Sequence, residues 1–97
     1  MLTFLLYCDL PTMNCNVEDI NQKLSSFASS YIQVNDSLWF FKYPNEFDGS
    51  FLPKEEHLFY EYFDNFVNAD SIIFINRLSE RHYYVLPKEV ARFLDED

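Results

Sequence analysis

Four large apolar residues follow one another in the stretch LWFF (residues 38–41), among neighbours that favour β-structure. Successive side chains of a strand point to opposite faces of its sheet, so Leu38 and Phe40 face one side. Trp39, Phe41 and Tyr43 face the other side. Large apolar side chains on both sides predict a sheet that is covered on both of its faces.

Apolar periodicity and turn-forming residues predict eight elements along the chain. Asn16 is a suitable N-cap for a helix that begins at Val17, and Asn35-Asp36 suit a tight hairpin turn. Pro53 suits the first turn of a second helix. The predicted order is strand 2–8, helix from 17, strands 31–34 and 37–43, loop 44–53, helix to about 67, strand 71–78, strand 82–86 and helix 88–94.

This order predicts an α+β fold in one domain over residues 1–97. It is typical of a ferredoxin-like split βαβ sandwich, here with an additional C-terminal strand and short helix. The two main helices would cover one face of the sheet, and the simplest cover for the other is a second copy of the chain. The extra strand and helix would cover part of that face or reach across to the partner. The aromatic residues predicted at the dimer interface are Trp39, Phe41, Tyr43, Tyr83 and Tyr84.

The chain is strongly acidic, with 16 Asp and Glu against 7 Lys and Arg and a net charge of −9. Such a charge repels phosphate backbones, so nucleic acid is an unlikely partner. The charge serves solubility, or it attracts a basic protein. Carboxylates predicted on such a partner surface cluster around the second helix: Asp48, Glu55, Glu56, Glu61 and Asp64.

No apolar run approaches the roughly 20 residues of a membrane-spanning helix, and Leu2–Leu6 has no basic segment before it. We therefore expect a soluble, cytoplasmic protein without a membrane partner. Cys8 and Cys15 are the only cysteines, and their spacing predicts neither a disulfide framework nor a zinc site. No cofactor is expected.

Asp9 ends the apolar run of the first strand, and the residues around it leave its role open. Its carboxylate is either a metal ligand or a strand-end group that bonds to nearby backbone amides. Two Asp9 side chains from paired copies would suit Mg²⁺, which prefers oxygen ligands and can activate water. The first basic residue after Asp9 is Lys23, so the residues near it offer little attraction to a phosphodiester.

The segments YCDLPT (7–12), VNDSLWFFKY (34–43) and NADSIIFINRL (68–78), with the ending YYVLPKEVARFLDED, resemble a known group. They are similar to the SinR-like proteins and to the small CRISPR-associated endoribonuclease-like subunit of the spacer-integration complex. The resemblance covers most of the chain except the loop 44–53. It implies a ferredoxin-like fold, a homodimer and, in catalytic members, a divalent metal held near the dimer axis by the aspartate at the position of Asp9. The first helix, NVEDINQKL, departs from the several basic residues that many members carry there.

We therefore predict a homodimeric protein-binding or scaffolding module without catalysis. One alternative is an acidic, phage-type anti-defence inhibitor, which presents carboxylates at phosphate-like spacing to a nucleic-acid enzyme. The other alternative is a metal-dependent nuclease that uses Asp9, and only this alternative requires Mg²⁺.

Overall fold

The computed structural model describes residues 2–44, 59–78 and 85–96. The strands are β1 (Leu2–Cys8), β2 (Ser30–Gln33), β3 (Leu38–Tyr43) and β4 (Ile73–Arg77). The helices are α1 (Val17–Phe27) and α2 (Lys88–Asp95), with 3-10 helices at Leu10–Thr12 and Tyr60–Phe66. The predicted α+β class is confirmed, because the strands form one four-stranded antiparallel sheet accompanied by helices.

The sheet has the strand order β2-β3-β1-β4, and each neighbouring pair is antiparallel. Because β1 and β2 both run antiparallel to β3, the chain returns through α1 to a strand parallel to β1. In the same way, β3 and β4 both run antiparallel to β1 and are parallel to each other. Each central strand therefore lies between the two strands of one unit: β3 lies between β1 and β2, and β1 lies between β3 and β4.

Local sequence explains where α1 and the hairpin form. The Asn16 side chain accepts a hydrogen bond from the Asp19 backbone at 2.9 Å, and the Asp19 carboxylate accepts one from the Asn16 backbone at 3.0 Å. This reciprocal capping box starts the helix at the predicted residue. In the β2–β3 turn, the Asn35 side chain accepts from the Ser37 backbone at 2.8 Å, which confirms the position of the predicted turn. The connection covers residues 34–37 and is therefore longer than the predicted pair Asn35-Asp36.

The first face of the sheet carries the hydrophobic core. Phe4 and Leu6 of β1 lie beside Phe41 and Trp39 of β3, and all four side chains are fully buried. Elements of the same chain cover them: the core cluster also contains Ile20 and Leu24 of α1 and Phe59 and Phe63 at the 3-10 helix Tyr60–Phe66.

The prediction that Trp39 and Phe41 line a dimer interface is therefore corrected. Neither side chain has exposed surface, because the chain's own helices lie over that face. Tyr43 is half-buried and packs against Phe59, with 5.1 Å between ring centroids. The other two predicted interface residues, Tyr83 and Tyr84, lie outside the described residues.

On the second face, one end is covered by α2. Phe40 and Lys42 of β3 are each 4% exposed, although Lys42 carries a charge. The Lys42 ammonium donates hydrogen bonds to the carbonyl oxygens of Phe93, at 2.5 Å, and of Glu96, and it lies 4.5 Å from the centre of the Phe93 ring. The C-terminal helix thus covers part of the second face, as one of the two predictions for it proposed.

The predicted extra strand 82–86 falls largely outside the described residues. Its described part, Val85 and Leu86, is not in a strand. None of the helices in the described segments has both the length and the apolar character that a bilayer crossing requires.

Candidate functional site

Asp9 anchors the turn that follows β1 through its backbone. Its N–H donates to the carbonyl of Ile72 at 3.0 Å, and its own carbonyl accepts from the backbone and the hydroxyl of Thr12 at 2.9 and 2.7 Å. Asp9 is also the N-cap of the short 3-10 helix, but its side chain makes no capping hydrogen bond there. The turn is therefore held by backbone groups and the Thr12 hydroxyl, and the Asp9 carboxylate is available for other contacts.

The Asp9 carboxylate borders an open surface pocket of about 590 Å³ that Asp36 also borders. Pairing of β1 with β3 places Tyr7 opposite Leu38, and the Cys8 N–H donates to the Ser37 carbonyl at 2.8 Å. Asp36 lies in the turn just before Ser37, at the same end of the sheet as Asp9. The remaining lining residues are Leu10, Pro11, Cys15, Asn16, Val17 and Ser37.

The thiol in this pocket is a poor nucleophile. Partial burial raises the pKa of Cys15 above its ordinary value, and the nearby negative charge of Asp19 raises it further. A raised pKa leaves little thiolate at neutral pH, and the thiolate is the reactive form. The chemistry available to the pocket is therefore that of its two carboxylates.

Mg²⁺ takes six oxygen ligands in octahedral geometry, and one or two carboxylates commonly hold it while waters or substrate phosphates supply the other ligands. Among the described residues there is no group of three or more His, Cys, Asp and Glu side chains that is placed to hold a metal ion. The predicted metal and catalytic roles of Asp9 stay predictions.

Next to these carboxylates lies an apolar strip on the second face, formed by Tyr7, Leu38, Ile72 and Phe74. We call it the open strip. Leu38, Tyr7 and Phe74 are cross-strand neighbours on β3, β1 and β4, and the Tyr7 and Phe74 rings are 6.1 Å apart. Phe74 is 53% exposed and Ile72 is 42% exposed. Of the three large apolar side chains that the described segments leave exposed, two lie in this strip.

The acidic residues predicted on a partner surface are only partly described. Glu61 and Asp64 are exposed on the 3-10 helix Tyr60–Phe66, which packs on the first face. They are therefore on the other side of the sheet from the open strip. Asp48, Glu55 and Glu56 lie outside the described residues.

The sequence reasoning singled out Asp9 but missed Asp36 and the open strip. The sequence did carry a signal for Asp36, because the predicted hairpin turn fixes which residues of β3 lie opposite β2. Only the identity of the strand on the other side of β3 was missing. Comparisons of the chain with protein-family models, with curated proteins and with solved structures gave no match.

Proposed function

We propose that this chain is a protein-binding module with a ferredoxin-like fold, and that it recognises its partner through the open strip. The strand order β2-β3-β1-β4, built from two strand–helix–strand units, supports the fold assignment. The proposal gives the module no catalytic step of its own.

The observation that carries the proposal is the exposure of Phe74 beside Tyr7 and Ile72. By contrast, the chain's own helices bury the apolar core side chains of the first face, and Phe40 on the second face is almost fully buried. We take this contiguous group of exposed apolar side chains, with its polar border, as the contact surface for another protein. Burial of such side chains against a partner supplies the main favourable term of association.

The predicted homodimer would place a second copy on this strip. Sedimentation velocity at increasing concentration tests it, and a Phe74→Ser variant should then sediment as a monomer under the conditions in which the wild type pairs. A wild type that stays monomeric into the high micromolar range would contradict the homodimer while leaving another protein as partner. The acidic-inhibitor alternative likewise stays a prediction.

The nuclease alternative has one observation in its favour, which is that Asp9 and Asp36 border one pocket. It predicts cleavage of RNA or DNA with Mg²⁺ or Mn²⁺, and loss of that cleavage in an Asp9→Asn variant. Cleavage that survives this substitution, or that is absent on every substrate, removes Asp9 as a catalytic residue.

Site-specific photocrosslinking tests the proposed module directly. A photoreactive phenylalanine analogue replaces Phe74 in one variant and the exposed Glu61 in a matched control, and both are expressed in the cells that naturally make the chain. We expect a discrete protein adduct from position 74 only, with its mass separating a second copy from another protein. Equal adducts from both positions, or none from position 74, would refute the proposal.

A further inference from the structure

We infer that the open strip takes a short basic segment of a partner protein, which places a large apolar side chain against Tyr7 and Phe74 and lysine or arginine side chains against Asp9 and Asp36. This inference rests on the proposed function and adds the chemistry of the partner. Three features of the described residues support it: the size of the strip, its charge, and the state of the neighbouring sheet edge.

The strip is small. A phenylalanine side chain has about 200 Å² of surface, so the half-exposed Phe74 offers roughly 100 Å². With Ile72 and the half-buried Tyr7 and Leu38, the strip offers on the order of 200–300 Å². A stable interface between two folded proteins takes about 800 Å² from each partner. The strip is therefore suited to a few residues of a segment more than to the whole face of a second copy.

The charge beside the strip is negative. Asp9 follows Tyr7 by two residues, Asp36 precedes Leu38 by two residues, and the exposed Asp70 lies in the turn just before Ile72. A second copy on this surface would bring the carboxylates of both copies close together, and each copy has a net charge of −9, so the two would repel each other. A basic segment would find opposite charges there, which favours encounter as well as binding.

Neither Asp9 nor Asp36 forms an ion pair with a described cation. Lys42 lies toward the other end, where its ammonium is bound to α2. Arg77 is on β4, but it pairs with Phe4 and therefore belongs to the first face by the alternation of the strand. The carboxylates of Asp9 and Asp36 are thus left for a partner's cations.

The neighbouring strand edge favours recognition by side chains. Hydrogen bonds at Ile72 and Leu78 to β1 show that the backbone groups of Ile75 point away from β1. The Ile75 N–H, at the middle of β4, already donates to the Tyr60 hydroxyl at 2.9 Å. A segment that added itself as a further strand would have to displace this hydroxyl, whereas a segment lying on the face meets the strip directly.

Selection from a display library of random linear peptides tests the inference without assuming a partner. The immobilised wild type is the target, and a Phe74→Ser variant is used to remove peptides that bind elsewhere. We expect the recovered peptides to combine lysine or arginine with a large apolar residue. Their affinities are then measured by fluorescence anisotropy with synthetic, labelled copies.

Two double variants with the same change in net charge separate local from general attraction. Asp9→Asn/Asp36→Asn should weaken the recovered peptides about tenfold, since two surface charge pairs are lost. Glu61→Gln/Asp64→Asn, on the other face, should change affinity less than about twofold, by screened long-range attraction alone. Phe74→Ser should weaken binding on the order of thirtyfold. The fluorescence of Trp39, the single tryptophan, verifies that each variant keeps its buried core.

Each other outcome refutes the inference in a distinct way. Peptides that depend on Phe74 but are not basic would overturn the basic partner and leave the protein-binding module standing. Equal losses in the two double variants would show only general attraction to a polyanion. If no peptide depends on Phe74 and no photocrosslink forms at that position, the inference and the proposed function both fail.

Discussion

Replacing Lys42 by methionine should loosen α2 from the sheet and lower the free energy of unfolding. Lys42 is almost fully buried on β3, and its ammonium is the donor for two carbonyl oxygens at the C-terminal end of α2. That end of a helix carries partial negative charge and four carbonyls without intrahelical partners. Lys42 therefore acts as a C-terminal cap supplied from the sheet.

The contacts set the size of the effect. Glu96 is exposed, so water replaces the hydrogen bond to its carbonyl, whereas Phe93 is half-buried and loses its bond without full replacement. One unreplaced charge-assisted hydrogen bond amounts to about 1.5 kcal/mol. The cation–π contact with Phe93, at 4.5 Å, adds about 1 kcal/mol. Methionine keeps the packing of the stem and relieves the burial of a charge. We therefore expect a net loss between about 1 and 2.5 kcal/mol.

Urea denaturation measures the loss, and amide hydrogen exchange locates it. Protection should fall along α2 in the Lys42→Met variant while β1 keeps its protection, because β1 lies within the core. Lys23→Met is the matched control, since its ammonium lies 5.8 Å from the centre of the Phe66 ring on the other face. The control should change stability by less than about 0.5 kcal/mol. Equal stability of the two variants, or unchanged exchange in α2, would refute the assigned role of Lys42.

Three further predictions concern the first face and the end of β1. Asn21→Ala should destabilise the fold by about 1–3 kcal/mol in urea, because the buried Trp39 indole N–H loses the acceptor that it contacts at 2.8 Å; an unchanged midpoint would contradict this. Asn16→Ala should remove about 1 kcal/mol with the capping box, measured in the same way, and Ser29→Ala, outside the helix, should not. Burial raises the pKa of the Cys8 thiol from 9.0 to about 12, with a smaller contribution from Cys15. The Cys8 thiol therefore keeps its proton more tightly in the folded state than in the unfolded state. The free energy of unfolding is unaffected by this group below pH 9, and it falls as pH rises toward 12, by at most about 1.4 kcal/mol per pH unit. Alkaline denaturation of Cys8→Ala should show a shallower decline than the wild type, and an identical decline would refute the assignment.

Much of the fold could be predicted because its signals are local. The alternation in LWFF assigned Trp39 and Phe41 to one face and Phe40 to the other, and Asn16 marked the start of α1. The sequence could not show which face the helices cover, because alternation gives two equivalent faces until the strands are paired. For that reason Trp39 and Phe41 were assigned to an interface when they form the core.

The candidate site was harder to predict because it depends on long-range register. Asp36 becomes a neighbour of Asp9 only when β3 pairs with β1, and Phe74 reaches Tyr7 only when β4 pairs with β1 from the other side. Nothing in the sequence distinguished Lys42 from the other charged residues. Its role as a helix cap could be predicted only if the position of α2 on the sheet was known. Hydrophobic pattern alone therefore identified the sheet and not its candidate binding surface.

The two ends of the second face are separate in the structure, and this has a consequence for the proposed binding. Lys42 lies opposite Thr3, whereas Leu38 lies opposite Tyr7, four residues farther along β1 and so roughly 13 Å away. Lys42 thus lies at the other end of the face from the strip, and its ammonium is bound to the C-terminal end of α2. The Lys42→Met variant should bind strip-dependent peptides within about twofold of the wild type even as α2 loosens, because distant sites contribute independently. A large loss of binding in this variant would mean that α2 helps to shape the strip, and the two ends would then have to be treated as one surface.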